Sequence, residues 1–169
     1  MTTNQTTTAA RASHAPAGDR PHFLMLGSVT VSTLIAGAQT NGELSLVELT
    51  GVPGSGPGPH LDPWRESFYV LDGELTFRVE EAGAVRTIVA RHGDTVSIPQ
   101  GVGHAFSVTS SKAARFLISS TPAGIDAFFA DAGEPIDRPH LPSVPSAFDR
   151  ERLKKAFVAH GLSPYSFPT

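Results

Sequence analysis

Apolar residues in this chain come in short runs, many at alternate positions, cut by glycine, proline, asparagine and aspartate. Runs at 23–26 and 29–35 are split by Gly27 and closed by Gly37, and an Asn41-Gly42 turn signal precedes LSLVELT at 44–50. A loop dense in glycine and proline, GVPGSGPGP, follows. Alternation then predicts strands over 67–71, 74–80, 85–90, 95–98, 104–109 and 115–119, with Asp72-Gly73 as a hairpin turn between the first two. Many short strands at this pitch predict an all-β sandwich or barrel. The period changes at IDAFFADA (125–132), which reads as a short amphipathic helix ending near Asp131 and Gly133. A proline-rich connector over 134–147 leads to a second helix, capped by Asp149 and stopped by Gly161, with Leu153, Ala156 and Phe157 on one face. The predicted organisation is a disordered N-terminal tail (1–20), a β-barrel (21–122) and a C-terminal helical extension (123–169) packed on its outside.

Composition narrows the chemistry. The 169 residues suit one domain, and 16 glycines with 14 prolines fit the many tight turns. The absence of cysteine excludes disulfides, thiolate metal sites and cysteine nucleophiles. A net charge of −3 leaves no global basic footprint, so no nucleic-acid partner is expected. Arg150, Arg152, Lys154 and Lys155 on the second helix read as a solvated face. No apolar run has the length of a membrane span, and the N-terminus lacks the apolar core of a signal peptide, so no membrane partner and a cytoplasmic location are expected. GVPGSGPGP is followed by no Gly-Lys-Ser/Thr and is not a phosphate loop. Seven histidines remain as the strong nitrogen ligands.

Two segments hold chemistry-bearing residues. In the first, His60 and Asp62 are two apart, so on an extended chain they share a face, and Glu66 opens the next strand at even parity. In the second, His104 opens a strand just after the Pro99-Gln100-Gly101 turn. If the two segments lie side by side, two imidazoles and a carboxylate form a facial triad with metal positions left open, and Asp62 makes a fourth ligand. Singly, each residue has an ordinary role at a turn or strand end; the joint spacing is what points to a site. His14, His22, His92, His140 and His160 match no ligand pattern.

The spacing resembles the paired motifs of the cupin superfamily. GSGPGPHLDPWRESFYVLDG fits Gly, five residues, His-x-His, three or four residues, Glu, six residues, Gly, except that Asp62 stands where the second His belongs. GDTVSIPQGVGHAFSV fits Gly, five residues, Pro-x-Gly, two residues, His, three residues, Asn, except that Val108 replaces the Asn. Together with TPAGIDAFFADAGEP and the terminal helix, residues 22–165 are similar to small bacterial cupins described as quercetin-dioxygenase-like.

The resemblance implies an all-β, jelly-roll barrel holding a divalent transition metal (iron, manganese, nickel or zinc) on His60, Asp62, Glu66 and His104, and a homodimer paired through barrel strands. Asp62 favours the harder metals; if the metal is lost, Asp62 and Glu66 become an acid/base pair. Side chains in step with the ligands are expected to line an apolar, partly aromatic substrate pocket: Phe68, Phe77, Phe106, Val108 and Phe116. Trp64 and Arg65 flank Glu66, as a gate or as ordinary loop residues. Three functions follow. One is a metal-dependent dioxygenase acting on a polyketide- or flavonoid-like molecule, with dioxygen as co-substrate. The second is a non-oxidative cyclase, isomerase or dehydratase of natural-product biosynthesis with Asp62 and Glu66 as catalytic acid and base. The third is a non-catalytic module that captures a small molecule.

Overall fold

The computed structural model describes residues 12–142 and 145–168. Its strands are β1 (His22–Met25), β2 (Val29–Ile35), β3 (Ser45–Gly51), β4 (His60–Leu61), β5 (Arg65–Asp72), β6 (Glu74–Glu81), β7 (Ala84–Arg91), β8 (Thr95–Ile98), β9 (His104–Val108), β10 (Ala114–Thr121), β11 (Glu134–Ile136) and β12 (Ser163–Pro164). Two helices, α1 (Ile125–Ala132) and α2 (Arg150–Ala159), complete it. The larger sheet runs β11-β1-β2-β3-β10-β5-β8 and the smaller β12-β4-β9-β6-β7, with antiparallel neighbours throughout. The two sheets make the jelly-roll barrel, and alternation supplies its core. In β3, β5, β9 and β10 every second side chain is buried, so both sheets turn one apolar face inward.

The structure corrects one turn. Asp72-Gly73 does not join a hairpin; it carries the chain from β5 in the larger sheet to β6 in the smaller. Both edges of β5 are already taken, by β10 and β8, so β6 has no edge to pair with there. An Asp-Gly pair reports a tight reversal but not which sheet receives the next strand. Gly73 is needed at this corner: φ is +82°, and a Cβ would lie 2.8 Å from Ala114 Cα. The β6–β7 hairpin turns at Ala82-Gly83 instead, where φ is positive at both central residues (52° and 81°), as a type I′ turn requires.

Of the tail expected over 1–20, the stretch up to residue 11 lies outside the described residues; residues 12–20 are mostly exposed, with one 3₁₀ turn at Ala17–Asp19. Beyond residue 122 the chain carries both helices, and it also adds a strand to an edge of each sheet. β11 pairs with β1, and β12 pairs with β4. The start of α1 is tied to the larger sheet through Ser120 Oγ, which accepts from the Ile125 N–H at 3.3 Å and contacts Ser45 Oγ at 2.8 Å. α2 is capped as its sequence predicts, with Asp149 Oδ1 accepting from the Arg152 N–H at 2.9 Å. The Arg152 side chain leaves the solvated face to latch α2 onto α1, donating to the carbonyls of Asp131 (2.7 Å) and Ala130 (3.2 Å). His160 Nε2 lies 2.7 Å from Asp131 Oδ2 at the other end of α2. Among the described residues no helix is long and apolar enough to cross a membrane.

The last residues reach the strand that matters for the site. β12 pairs Pro164 with His60, and the Tyr165 N–H donates to the Pro59 carbonyl at 3.0 Å. The Tyr165 ring lies on Gly103, where a Cβ would collide with it, and the Arg78 guanidinium sits 4.4 Å from the centre of the Phe167 ring. β4 is only two residues long, so it depends on neighbours on both sides. Removing residues 163–169 should therefore leave the sheet signal in far-UV circular dichroism, lower stability by about 1–3 kcal/mol, and broaden the His60 imidazole resonances. Sharp, unshifted His60 resonances in the truncated chain would show that the strap does not hold β4.

Candidate metal centre

Four predicted residues meet at one end of the barrel interior. β4 and β9 pair with His60 directly opposite His104, which brings the two imidazoles together with ring centres 4.4 Å apart and planes tilted by 48°. Asp62 follows two residues after His60, and Pro63-Trp64 then carries the chain to the larger sheet, where Glu66 lies on β5 facing back across the interior. The smaller sheet thus supplies His60 and His104, the connection just after β4 supplies Asp62, and the larger sheet supplies Glu66. All four are nearly inaccessible, from 7% exposure for His60 to 1% for His104.

The hydrogen bonds around the rings decide which atoms face inward. His60 Nδ1 lies 2.9 Å from the Gly58 carbonyl and His104 Nδ1 lies 3.0 Å from the Val102 carbonyl. A carbonyl only accepts, so each Nδ1 carries the proton and each Nε2 keeps its lone pair in the neutral ring. Those lone pairs point at carboxylate oxygens. His60 Nε2 is 3.4 Å and His104 Nε2 is 3.3 Å from Asp62 Oδ2, and His104 Nε2 is 3.4 Å from Glu66 Oε2. Asp62 Oδ2 and His104 Nε2 are buried with no hydrogen-bond partner. Buried acceptors that face one another are stabilised by a cation placed between them.

A proton fills that place in part. Burial pushes the His60 pKa down, but the Asp62 hydrogen bond and charge, the Glu66 charge and the Gly58 carbonyl outweigh it, so the pKa stands above the ordinary imidazole value. A divalent metal fills it more completely. Ligand atoms of His60, Asp62 and His104 all lie within 4.8 Å of one another. Bonds of about 2.0–2.2 Å around one metal place neighbouring donors about 3.0–3.5 Å apart, and the observed separations fall in that range. Two imidazoles fixed by their Nδ1 bonds, plus one carboxylate, are the donor set of a facial triad. Glu66 stands at its side, with Oε1 3.4 Å from the indole N–H of the buried Trp64.

The site opens on a cavity of about 130 Å³, and here the sequence-based lining is corrected. Of Phe68, Phe77, Phe106, Val108 and Phe116, only Phe106 lines it. The reason is strand rise. Side chains in step with a ligand share its face but move away by about 7 Å every two residues. Phe106 is one such step from His104 and Val108 is two. On β10, Ser120 pairs with Glu66 and Ile118 with Phe68, which leaves Phe116 a layer deeper. Phe68, Phe77 and Phe116 pack there as a solid plug against Phe106, at ring-centre distances of 5.4, 5.8 and 5.5 Å. Met25, Val29, Leu49 and Ile118 line it from β1, β2, β3 and β10, and the rest of the wall comes from residues that strand alternation does not reach: Ile125, Phe128, Leu153, Phe157 and Leu162 among them. The apolar face of α2, at Leu153 and Phe157, was the available signal, and it serves the cavity as well as packing. Trp64 lines the cavity, while Arg65 points away, its Nη1 3.3 Å from Ser97 Oγ. His22, His92, His140 and His160 all bond elsewhere.

Because His60, Asp62 and His104 form the group whose donor atoms all lie within 4.8 Å of one another, the ligands should differ in weight. Asp62→Ala and His104→Ala should each weaken Mn(II) or Fe(II) binding by on the order of 100-fold in calorimetric titration, and Glu66→Gln by on the order of 10-fold. Loss of binding in Glu66→Gln alone, with Asp62→Ala unaffected, would reverse that ranking.

Comparison with known proteins agrees with this architecture. The family profile described as "Cupin domain" matches residues 48–120, which run from β3 to the end of β10 and include all four site residues. Bovine (Bos taurus) 3-hydroxyanthranilate 3,4-dioxygenase is 34% identical over 58 residues, which is 34% of this chain and 20% of that enzyme, so the chain spans only about a fifth of the relative it matches. Among solved structures, an RmlC-like cupin from Shewanella frigidimarina superposes with a TM-score of 0.55 at 20% identity, covering 70% of this chain and 98% of the other. The polyketide cyclase RemF from Streptomyces resistomycificus superposes with a TM-score of 0.54 at 19% identity, covering 89% and 99%. With two facing sheets, the paired motifs at His60–Glu66 and His104, and a matching profile across both, residues 48–120 form a cupin domain.

Proposed function

We propose that this cupin is a metal-dependent dioxygenase acting on a small, largely apolar organic molecule, with His60, Asp62 and His104 as metal ligands. The observation that carries the reading is the pair of orphaned buried atoms, Asp62 Oδ2 and His104 Nε2, facing one another beside His60 Nε2. Two imidazoles and one carboxylate are the donor set associated with non-haem iron oxygenases, and the carboxylates favour iron(II) or manganese(II). When bound, the metal would supply the redox centre and the open positions for substrate and dioxygen. Both oxygen atoms of dioxygen enter the product, so no external reductant is needed.

The chain's own groups do the rest. The Gly58 and Val102 carbonyls hold the two imidazoles in one tautomer and orientation. Glu66, turned toward the site and steadied by the Trp64 indole, accepts the proton of an acidic substrate hydroxyl as it binds. Phe106, Phe128 and Phe157 keep water from the reacting edge. The name of the bovine relative supports the oxidative reading. A second reading is favoured by one observation: the likeness to a polyketide cyclase extends over nearly the full length of both chains. There Asp62 and Glu66 transfer protons in a non-oxidative ring closure, isomerisation or dehydration.

Nitric oxide, an oxygen surrogate, separates the two. Anaerobic protein loaded with iron(II) and exposed to nitric oxide should give the high-spin nitrosyl signal in electron paramagnetic resonance, and His104→Ala should lose it. Iron-loaded protein that forms no such adduct would remove the oxygenase reading in favour of the second.

A further inference from the structure

The cavity beside the site also states what fits it. Apart from His60, Asp62, Trp64 and Glu66, every residue lining it is aliphatic, aromatic, methionine, glycine or proline. Among the described residues no lysine, arginine, serine, threonine, tyrosine, asparagine or glutamine faces it. All side-chain polarity therefore stands on one side, at the metal centre. Arg152 lines a neighbouring cavity that shares Leu153, and it is spent on the Asp131 and Ala130 carbonyls. Five aromatic side chains form much of the wall: Trp64, Phe106, Phe128, Phe129 and Phe157. Such a wall suits the face and edge of a planar ring.

Size adds a second limit. The cavity measures about 130 Å³. An apolar cavity of about 150 Å³ holds one benzene molecule, so this one has room between its walls for a single six-membered ring. Its floor cannot recede, because Phe106 rests on the plug of Phe68, Phe77 and Phe116, which are at most 1% exposed.

Resting on the metal-centre reading above, we infer that the site takes a single-ring molecule with one oxygen-bearing, chelating edge and no charge elsewhere. The multi-ring polyketide or flavonoid expected from sequence would seat only one ring between the walls and leave the others outside the apolar contact. A carboxylate on the far side of the ring would be buried among hydrocarbon groups with no counter-charge. A dicarboxylate too small to fill the cavity would leave the aromatic wall without a partner.

The test uses full-length protein loaded with cobalt(II), whose visible spectrum changes when a chelating ligand enters. Four probes are titrated: catechol, 3,4-dihydroxybenzoate, 2,3-dihydroxynaphthalene and oxalate. Catechol should bind at least tenfold more tightly than each of the other three. Leu153→Arg, which brings a cation to the wall from the outer helix, should narrow the gap between catechol and 3,4-dihydroxybenzoate by about tenfold. Equal or tighter binding of the carboxylate or of the two-ring diol to the unaltered protein would overturn the inference. If cobalt does not bind, the metal reading fails separately. The cavity is then probed in metal-free protein by NMR, with phenol against 4-hydroxybenzoate. Phenol should shift the Phe106, Ile118 and Phe157 resonances; no shift, or tighter binding of 4-hydroxybenzoate, would overturn the inference there too.

Discussion

Two imidazole lone pairs and two carboxylates are brought face to face in the barrel interior, where a cation placed between them satisfies all four. Much else in the structure serves that arrangement. Buried acceptors that face one another repel, and a cation between them turns the contact into attraction. The Nδ1 bonds to the Gly58 and Val102 carbonyls remove the simplest escape, which would be to turn an N–H inward. The carboxylates also hold a proton more tightly on His60, shared with Asp62. That proton serves one imidazole and leaves His104 Nε2 without a partner.

The barrel makes this possible because its two sheets contribute separately. Pairing of β4 with β9 sets the two histidines opposite one another, and the crossover through Asp62-Pro63-Trp64 delivers Glu66 from the other sheet. Below them the phenylalanine plug gives the centre a rigid floor. Above them the C-terminal segment does two jobs: α1 and α2 wall the cavity, and β12 holds the short ligand strand in place. The helices lie outside the sheets, yet they belong to the site as much as the strands do.

Much of this was legible in the sequence. Period-two alternation placed most of the strands of the two sheets, because each sheet has one face in the core and the other toward solvent. The spacing of His60, Asp62, Glu66 and His104 reported a shared site, because strand geometry converts even spacing into a common direction. What stayed hidden depends on tertiary partners. Asp72-Gly73 gives the same signal whether the next strand pairs back or crosses to another sheet. β4 and β12 are too short to show a period, and each is a strand only because of its neighbour. Phe68, Phe77, Val108 and Phe116 share the ligands' inward direction, but depth along the barrel separates a wall from a core. The lining from α1 and α2 required knowing where the chain beyond residue 122 docks.

The central claim is that a divalent cation belongs between His60, Asp62 and His104, and diffraction can locate it without reference to any substrate. Crystals of the full-length chain grown with manganese(II) or iron(II), measured at the absorption edge of that metal, should show one anomalous peak within bonding distance of His60 Nε2, His104 Nε2 and Asp62 Oδ2. A metal-loaded crystal with no peak there, or with its metal held at another site while those atoms stay unbridged, would contradict the account.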